Sequence, residues 1–377
     1  MRKLIRKHIS ILIVCVMLLG LCACTPAENS TGEAKSIQAT VVEIEKYGHA
    51  VLDITTSDFT DGGYTFGDVV HVSFDSHEFD MPFFDGYYST PGTEMLRGMA
   101  AEENIAVCIN YGDFSKETGI VIGDRVEITM TEKAGMRAFY ELSALKYSDD
   151  RADFSDDATF ANFRAVTVGN IGDGKLYRSA SPINNEHGRA GYANDFIEAA
   201  GVATVLNLAD SDEDIAEYCA AEDFDSEYYR SLYESGKVIV LDLNVNFYSE
   251  EFNTTLIKGL CFLAQNEPPY SVHCTEGKDR AGFTAMLLEA LMGAQLQEII
   301  DDYMLSFYNY YGIDKEKEPE RYETVLNTNL FTMLYHVTGT DTIQELEQAD
   351  LESAVINYLL KYGMSESDIL TLKDKLG

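Results

Sequence analysis

Along the first third of the chain, apolar and polar residues alternate. SIQATVVEIE, HAVLDITT, DVVHVSF, IAVCIN and RVEITM show β-branched residues at a period of two, with Gly, Asp and Asn between the runs. The pattern predicts a strand-rich unit over 37–147, with one helix signal near SKETGI. Many short strands in one unit predict a small β-barrel or sandwich. From about residue 161 the pattern changes. FRAVTV, VATVLNL, KVIVLDLNV and YSVHC are strand-like, and GYANDFIEAAG, SDEDIAEYCAAE, SEEFNTTLIKGLCFLAQ and AGFTAMLLEALMG between or after them are helical. Gly201 ends the first of these helices, and the Pro pair at 268–269 stops the third. Strands alternating with helices predict an α/β domain with a mainly parallel central sheet flanked by helices. LQEIIDDYMLSFYNYYG and segments near 320–338 and 343–376 add a helical C-terminal layer.

Composition sharpens this picture. Of 377 residues, 46% are hydrophobic and 24% charged, which excludes a disordered or collagen-like chain. The formal charge is −35, which excludes ordinary nucleic-acid binding, a process that depends on Lys and Arg neutralising phosphates. Such a surface also repels anionic substrates within a Debye length, so any phosphate site has to be a local device. The acidic excess itself reads as a solubilising surface.

The N-terminus departs from both domains. MRKLIRKH carries four Lys/Arg and no acid, and the 13 residues ISILIVCVMLLGL that follow it are apolar, as in a signal-peptide core too short for a membrane span. LCAC then places Cys24 after Ala23 and two residues past Cys22. This resembles a bacterial lipoprotein signal with Cys24 as the lipidated residue, and it implies a lipid anchor on the extracytoplasmic face of a membrane. The expected organisation is a signal peptide at 1–23, a flexible tether at 24–36, a β-barrel-like domain at 37–147, an acidic connector at 148–160 and an α/β domain at 161–377. Five Asp lie between 149 and 157, but the Gly and Glu of a calcium-binding loop are missing, so a solvated linker is expected there. Cys108, Cys219, Cys261 and Cys274 show no CxxC or regular spacing, so neither a disulfide framework nor a zinc site is expected. Cys108 and Cys261 sit among apolar neighbours, whereas Cys274 has polar, Gly-rich ones.

That setting is SVHCTEGKDRAGF, residues 271–283. A buried strand ends at Cys274, and a long helix begins near Arg280. The turn between them has to curl sharply, which Gly277 permits. Its N–H groups then join the positive end of the helix dipole as an anion cradle. The same groups push a central thiol toward thiolate. Arg280 can add a planar, two-pronged clamp on phosphate oxygens. Thiolate and guanidinium around one tetrahedral anion suit in-line phosphoryl transfer to Cys.

HCTEGKDRAG resembles the signature of bacterial cysteine-dependent tyrosine and phosphoinositide phosphatases of the HCxxGKDR type. LYRSASP and the C-terminal helices are similar to that family too, over roughly 160–377. The resemblance implies Cys274 as nucleophile, Arg280 as phosphate clamp and transition-state stabiliser, and His273 as a support for loop and thiolate. The backbone of Thr275, Glu276, Gly277, Lys278, Asp279 and Arg280 would bind the phosphate oxygens. Lys278 would reach a second phosphate or stay solvated. Asp279 is the first choice for general acid, because the stretch after KVIVLDLNV offers Asn244 and Asn246 where an Asp is usual; Asp210 is the outside candidate. Ala281 departs from the family's Ser or Thr, with Thr275 and Thr284 as the candidate substitutes. VVEIEKYGHAVLDI, TFGDVVHVSF and INYGDFSKETGIVIGDRVEITM resemble the C-terminal β-barrel domain of S-adenosylmethionine hydroxide adenosyltransferases. That resemblance carries a fold and no chemistry. Asn110 and Asp113 are its positions to watch for a ligand, with turn roles as the plainer reading.

The combined expectation is a lipid-anchored phosphatase for phosphomonoesters: phosphotyrosine, an inositol phosphate or a phosphoinositide. Its partners would be a phosphorylated small molecule, lipid or protein, and the membrane. No nucleic acid, cofactor or metal is implied. The alternative is a phosphatase-fold module that binds phosphorylated ligands with weak or no turnover.

Overall fold

The computed structural model describes residues 36–87 and 94–377. The expected signal peptide, the expected lipidation residue Cys24 and nearly all of the expected tether lie outside the described residues. Among the described residues, no helix is long and apolar enough to cross a membrane.

Seven strands form a closed barrel: β1 (Ile37–Ile44), β2 (Ala50–Thr55), β3 (Val69–Phe74), β4 (His77–Phe84), β5 (Glu94–Arg97), β6 (Asn104–Ile109) and β7 (Arg125–Glu132). They follow one another around the barrel as β1-β2-β6-β5-β4-β3-β7. All neighbours are antiparallel except the β4–β5 pair. The expected period of two is plain in β3, where Val70, Val72 and Phe74 are buried and the residues between them are not. Closure leaves no open sheet edge. The expected helix is Phe114–Thr118, capped by Asp113. A second one, Thr56–Asp61, interrupts what reads as continued strand, because the Thr55 hydroxyl accepts from the Asp58 N–H and starts a turn.

The second domain holds a five-stranded sheet in the order β11-β10-β12-β9-β8. These are β8 (Arg164–Ala165), β9 (Leu176–Ser179), β10 (Thr204–Asn207), β11 (Val238–Val240) and β12 (Tyr270–His273). β9, β12, β10 and β11 run parallel; the two-residue β8 is antiparallel at the edge. The parallel sheet is thus smaller than the sequence suggests. KVIVLDLNV forms only three residues of strand, because Asp242 takes a left-handed backbone (φ 45°) and turns the chain away. Successive β10 residues face opposite layers. Val205 packs with Ile197, Ile215 and Tyr229 of helices Ala190–Ala199, Asp212–Cys219 and Glu227–Glu234. Leu206 joins the larger core with helices Glu250–Gln265, Asp279–Leu291, Leu296–Tyr311 and the C-terminal helices. Every residue from Ala281 to Leu291 is buried, Thr284 and Glu289 among otherwise apolar or small side chains, as a nearly all-apolar helix requires.

The two domains are joined by packing as well as by chain. Helix Arg137–Ser143 had no sequence signal. Its Met136–Tyr140 end packs on Phe84 of the barrel, while Leu142 and Leu145 pack against the α/β core. The five Asp of the acidic connector are exposed, while its Phe154 and Phe160 pack against the α/β domain around Arg189. The buried Arg189 guanidinium sits 4.3 Å from the Phe160 ring centre and 5.2 Å from those of Tyr147, Phe154 and Tyr310. It also donates to the Ser148 carbonyl at 2.8 Å.

Candidate active site

The site is built where β12 ends. All four β12 residues are buried between parallel neighbours, which fixes the position of Cys274 just beyond them. Helix Asp279–Leu291 begins five residues later. Between them Gly277 takes φ 70°, and its Cα faces the chain at β9: an added Cβ would lie 2.1 Å from the Ser179 carbonyl oxygen. No other residue fits there without moving backbone.

Each carbonyl of the turn is held by a donor from outside it. Thr275 accepts from the Ser181 N–H at 3.0 Å. Glu276 accepts from Asn162 Nδ2 at 3.0 Å and from the Tyr310 hydroxyl at 2.7 Å. Gly277 and Lys278 accept from Arg178 Nη2 at 2.9 and 3.2 Å. Peptide planarity then turns the N–H groups of residues 276–279 to the opposite side. Among the described residues, none of these N–H groups has a protein acceptor. A run of outward carbonyls and unpaired inward N–H groups is an anion cradle.

Arg178, 1% exposed on β9, is itself anchored by Asp302, whose Oδ2 lies 2.6 Å from Nη1. Arg164 shares Asp302 from β8, at 2.7 Å. Burial opposes ionisation of Asp302, but Arg164 and Arg178 override it and hold the carboxyl well below the usual range. Beside it, burial pushes Glu289 well above its ordinary value. This layer lies beneath the turn and carries no exposed chemistry.

Around the turn, the predicted residues divide. Cys274 is a free, buried thiol, and among the described residues no hydroxyl donates to its sulfur. Arg280 donates to the Leu243 carbonyl at 2.7 Å and to Thr275 Oγ1 at 3.1 Å, so it lies across the turn. Thr275 is therefore occupied by Arg280, and Thr284 donates to the Arg280 carbonyl at 2.9 Å. Neither hydroxyl replaces the one that Ala281 lacks. His273 is fully buried, and burial, helped by Arg280, pushes it down to about 3, so it is neutral.

Lys278 is not solvated. Its Nζ lies 2.8 and 2.9 Å from the two Asp279 oxygens and 3.3 Å from Glu276 Oε2. Burial alone would lower it, but Asp279 and Glu276 hold it well above its ordinary value. Glu276 also accepts from the Tyr147 hydroxyl at 2.8 Å, which brings the residue just before the connector onto the turn. Asp279 opens the helix with its carboxylate partly exposed in a cleft. Asp210 follows β10 and is buried; burial raises it above the usual carboxylate range, against hydrogen bonds from Asn207 and Tyr218 and the charge of Arg280.

In the barrel, Asp113 is a helix cap, its carboxylate accepting from the Lys116 N–H at 2.9 Å. Asn110 is buried and lines the same cleft as Asp279. Cys108 is a core thiol that burial pushes up to about 12. No group of three His, Cys, Asp or Glu among the described residues is placed to hold a metal. Arg178 stood in the sequence within LYRSASP, but nothing local marked Asn162, Tyr147, Tyr310 or Asp302 as its companions.

Comparison with known proteins locates this domain. A family model described as a tyrosine phosphatase family matches residues 160–377. No curated protein matches the chain. Among solved structures, an uncharacterized conserved protein from Thermotoga maritima is similar at 22% identity, over 25% of this chain and 36% of that one, with a TM-score of 0.24. The chain spans about a third of that protein's length, 36%, and the likeness carries no further argument.

Proposed function

The chain belongs to the tyrosine phosphatase family, and from that premise we propose that it hydrolyses phosphomonoesters at the 274–280 turn through a phosphocysteine intermediate. The observation that carries this reading is the outward fastening of four consecutive carbonyls, which leaves N–H groups free for phosphate oxygens. In the first step the Cys274 thiolate attacks phosphorus, the ester P–O bond breaks, and a proton goes to the leaving oxygen. In the second, water attacks phosphorus and gives a proton back to the carboxylate that served as acid, and the S–P bond breaks, returning the thiolate and phosphate. Arg280 leaves its Leu243 and Thr275 contacts to clamp two equatorial oxygens. The N–H groups of 275–280 hold the same oxygens. His273, neutral and buried, supports the strand end and takes no proton.

Asp279 is the proposed acid, because its carboxylate is exposed to the cleft where a leaving group would sit. Its carboxylate is paired with Lys278; an incoming phosphate dianion would compete for Lys278 and release Asp279 toward the leaving oxygen. Asp210 is the rival, on the observation that its burial favours the protonated carboxyl. Substrates would be phosphotyrosine, an inositol phosphate or a phosphoinositide, met on the extracytoplasmic face of a membrane to which lipidated Cys24 holds the protein.

The test is turnover of an aryl phosphate, a phosphotyrosine peptide and inositol phosphates by the protein and by Cys274→Ser. Hydrolysis abolished by the substitution supports the enzyme. No turnover with retained vanadate binding favours a phosphate-binding module, a reading to which Ala281 and the undonated Cys274 sulfur lend weight. A true acid matters far more for poor leaving groups than for good ones, so Asp279→Asn and Asp210→Asn are compared on both. Equal loss on both by Asp279→Asn rules it out as the acid. Cys24→Ala should release the protein from the membrane fraction; unchanged membrane association would rule out the anchor.

A further inference from the structure

We propose that the barrel domain forms the far wall of the substrate cleft and reads the leaving group: an aryl phosphate carried on an extended chain. This rests on the phosphatase reading of the 274–280 turn and extends it to a domain with no assigned role.

A cleft of about 310 Å³ starts at Asp279, the residue next to Arg280. One side is Phe247 and Tyr248 of the α/β domain. The other is Phe139 of the bridging helix with Tyr87, Asn110 and Tyr111 of the barrel. Those three barrel residues also line a second cavity of about 780 Å³, with Tyr47 and His49. The two spaces share a wall, so a ligand leaving the turn past Asp279 meets the barrel rim. Their combined size far exceeds one phosphotyrosine side chain and suits a chain of several residues.

The wall is fixed in place and aromatic. Tyr87 receives a hydrogen bond from Arg97 Nη1 at 2.7 Å, and Arg97 is in turn clamped by Glu45 at 2.8 Å. Tyr111 sits in a left-handed turn conformation (φ 56°), sparsely populated for an aromatic residue, with 73% of its surface in solvent. Tyr47 is similarly exposed, at 66%. Single exposed aromatics are ordinary, but three around one cavity next to a reactive turn form a stacking surface. The bridging helix holds this surface against the α/β domain through Phe139 on one side and Leu142 on the other.

Charge decides the class of leaving group. Among the described residues, Lys46 is the one lysine or arginine lining either space, against the carboxylates of Asp279 and Asp113. Lys278 is already shared by Asp279 and Glu276. A polyphosphorylated ring would place several charges against carboxylates in a chain of formal charge −35. A single phosphate on a flat ring with an uncharged extension meets no such repulsion.

The experiment measures kcat/KM for phenyl phosphate, a phosphotyrosine octapeptide and inositol hexakisphosphate with the parent, Tyr111→Ala, Tyr111→Gly and Tyr111→Phe. The Gly variant relaxes the positive φ and guards against misfolding. The parent should prefer the peptide to phenyl phosphate. Tyr111→Ala and Tyr111→Gly should lose about tenfold on the peptide, through KM, which corresponds to about 1.4 kcal/mol of stacking, and stay within about twofold on phenyl phosphate. Tyr111→Phe should retain the preference. Equal losses on both substrates, no loss on the peptide, or a parent that prefers inositol hexakisphosphate would overturn the proposal. If no substrate is turned over, the phosphatase reading fails separately. Peptide binding to the parent and to Tyr111→Gly then decides the cleft: weaker binding by the variant supports it, equal or absent binding overturns it.

Discussion

Replacing Arg178 tests whether the turn is an anion cradle because of how its carbonyls are held. Arg178 makes three contacts: Asp302 at 2.6 Å, the Gly277 carbonyl at 2.9 Å and the Lys278 carbonyl at 3.2 Å. The Lys278 carbonyl keeps a second donor, the Gly282 N–H at 2.9 Å, and Asp302 keeps Arg164. The Gly277 carbonyl has no other donor among the described residues. Removing the guanidinium therefore orphans one buried carbonyl, at about 1–3 kcal/mol. It also halves a buried ion pair whose full rupture costs about 3–5 kcal/mol. Arg178→Met combines both losses and approaches the whole stability of a typical domain, about 5–15 kcal/mol. Arg178→Lys keeps a charge for Asp302 but cannot bridge to both carbonyls, so it isolates the first loss. The Lys variant should remain folded, with a stability decrease of about 1–3 kcal/mol by urea titration. The Gly277–Lys278 peptide is then free to rotate, taking the Lys278 N–H out of the cradle. Vanadate affinity, read by protection of Cys274 from alkylation, should fall at least about tenfold, a change worth about 1.4 kcal/mol. Added guanidinium should restore part of it. A variant that loses this stability yet binds vanadate and turns over an aryl phosphate like the parent would refute the reasoning, leaving Arg178 a purely structural residue.

Two further outcomes follow from the same geometry. Gly277→Ala meets the Ser179 carbonyl at 2.1 Å and a positive φ together, and should cost at least about 2 kcal/mol with loss of vanadate binding; a stable, active variant would show that the turn is not held against β9 as described. His273 is pushed down to about 3 in the folded chain, so the unfolded chain binds the extra proton below about pH 6.5. Stability should therefore fall as pH drops from 6.5 toward 3, by up to about 1.4 kcal/mol per pH unit from this group. Asp210 and Glu289, raised by burial, tilt the curve the other way above about pH 4, so the comparison is parent against His273→Gln in urea between pH 5 and 7. A parent no more acid-sensitive than the variant would mean that His273 is not a buried neutral group.

The parts of this molecule that were legible in the sequence are those with a local signature. The barrel showed itself by strands such as β3, whose alternating Val residues need only a period of two. The turn at 274–280 showed itself because strand end, Gly, Cys and helix start fall within ten residues. The cap at Asp113 was readable as a turn residue for the same reason. What fastens the turn was not readable. Asn162, Arg178 and Tyr310 reach Glu276 to Lys278 across 34 to 114 positions of chain, and a donor that far away leaves no pattern beside its acceptor. Helix Arg137–Ser143 was missed for a related reason. It has no buried residue of its own in the strict sense, since its apolar faces are divided between two domains. An element that serves two cores lacks the single stripe by which one core announces a helix.

The same distinction explains why the charged residues of the turn were harder than its backbone. Sequence places Lys278 beside Asp279 and near Glu276, but it cannot say whether a lysine in an acidic chain reaches outward for phosphate or inward for its neighbours. The fold decides this by burial. A buried ammonium has to be paired, and Asp279 and Glu276 are the carboxylates within reach. Lys278 therefore cannot be counted as a spare cation for a second phosphate, and the argument for polyphosphorylated substrates loses its main support. Burial acts oppositely on Asp210: deprived of water and of a direct cationic partner, the carboxyl is pushed toward its neutral form. Two aspartates that look alike in sequence thus arrive at the turn in opposite states, one paired and facing the cleft, the other buried and poised to hold a proton. A general acid needs both access and a proton. Asp279 has the access, but its carboxylate is held by Lys278 until substrate draws Lys278 away. For that reason Lys278→Met should reveal the acid: if Asp279 protonates the leaving oxygen, removing its ion-pair partner should change kcat far more on poor leaving groups than on good ones. A leaving-group dependence that changes with Asp210→Asn and ignores Lys278→Met would assign the proton to Asp210 instead.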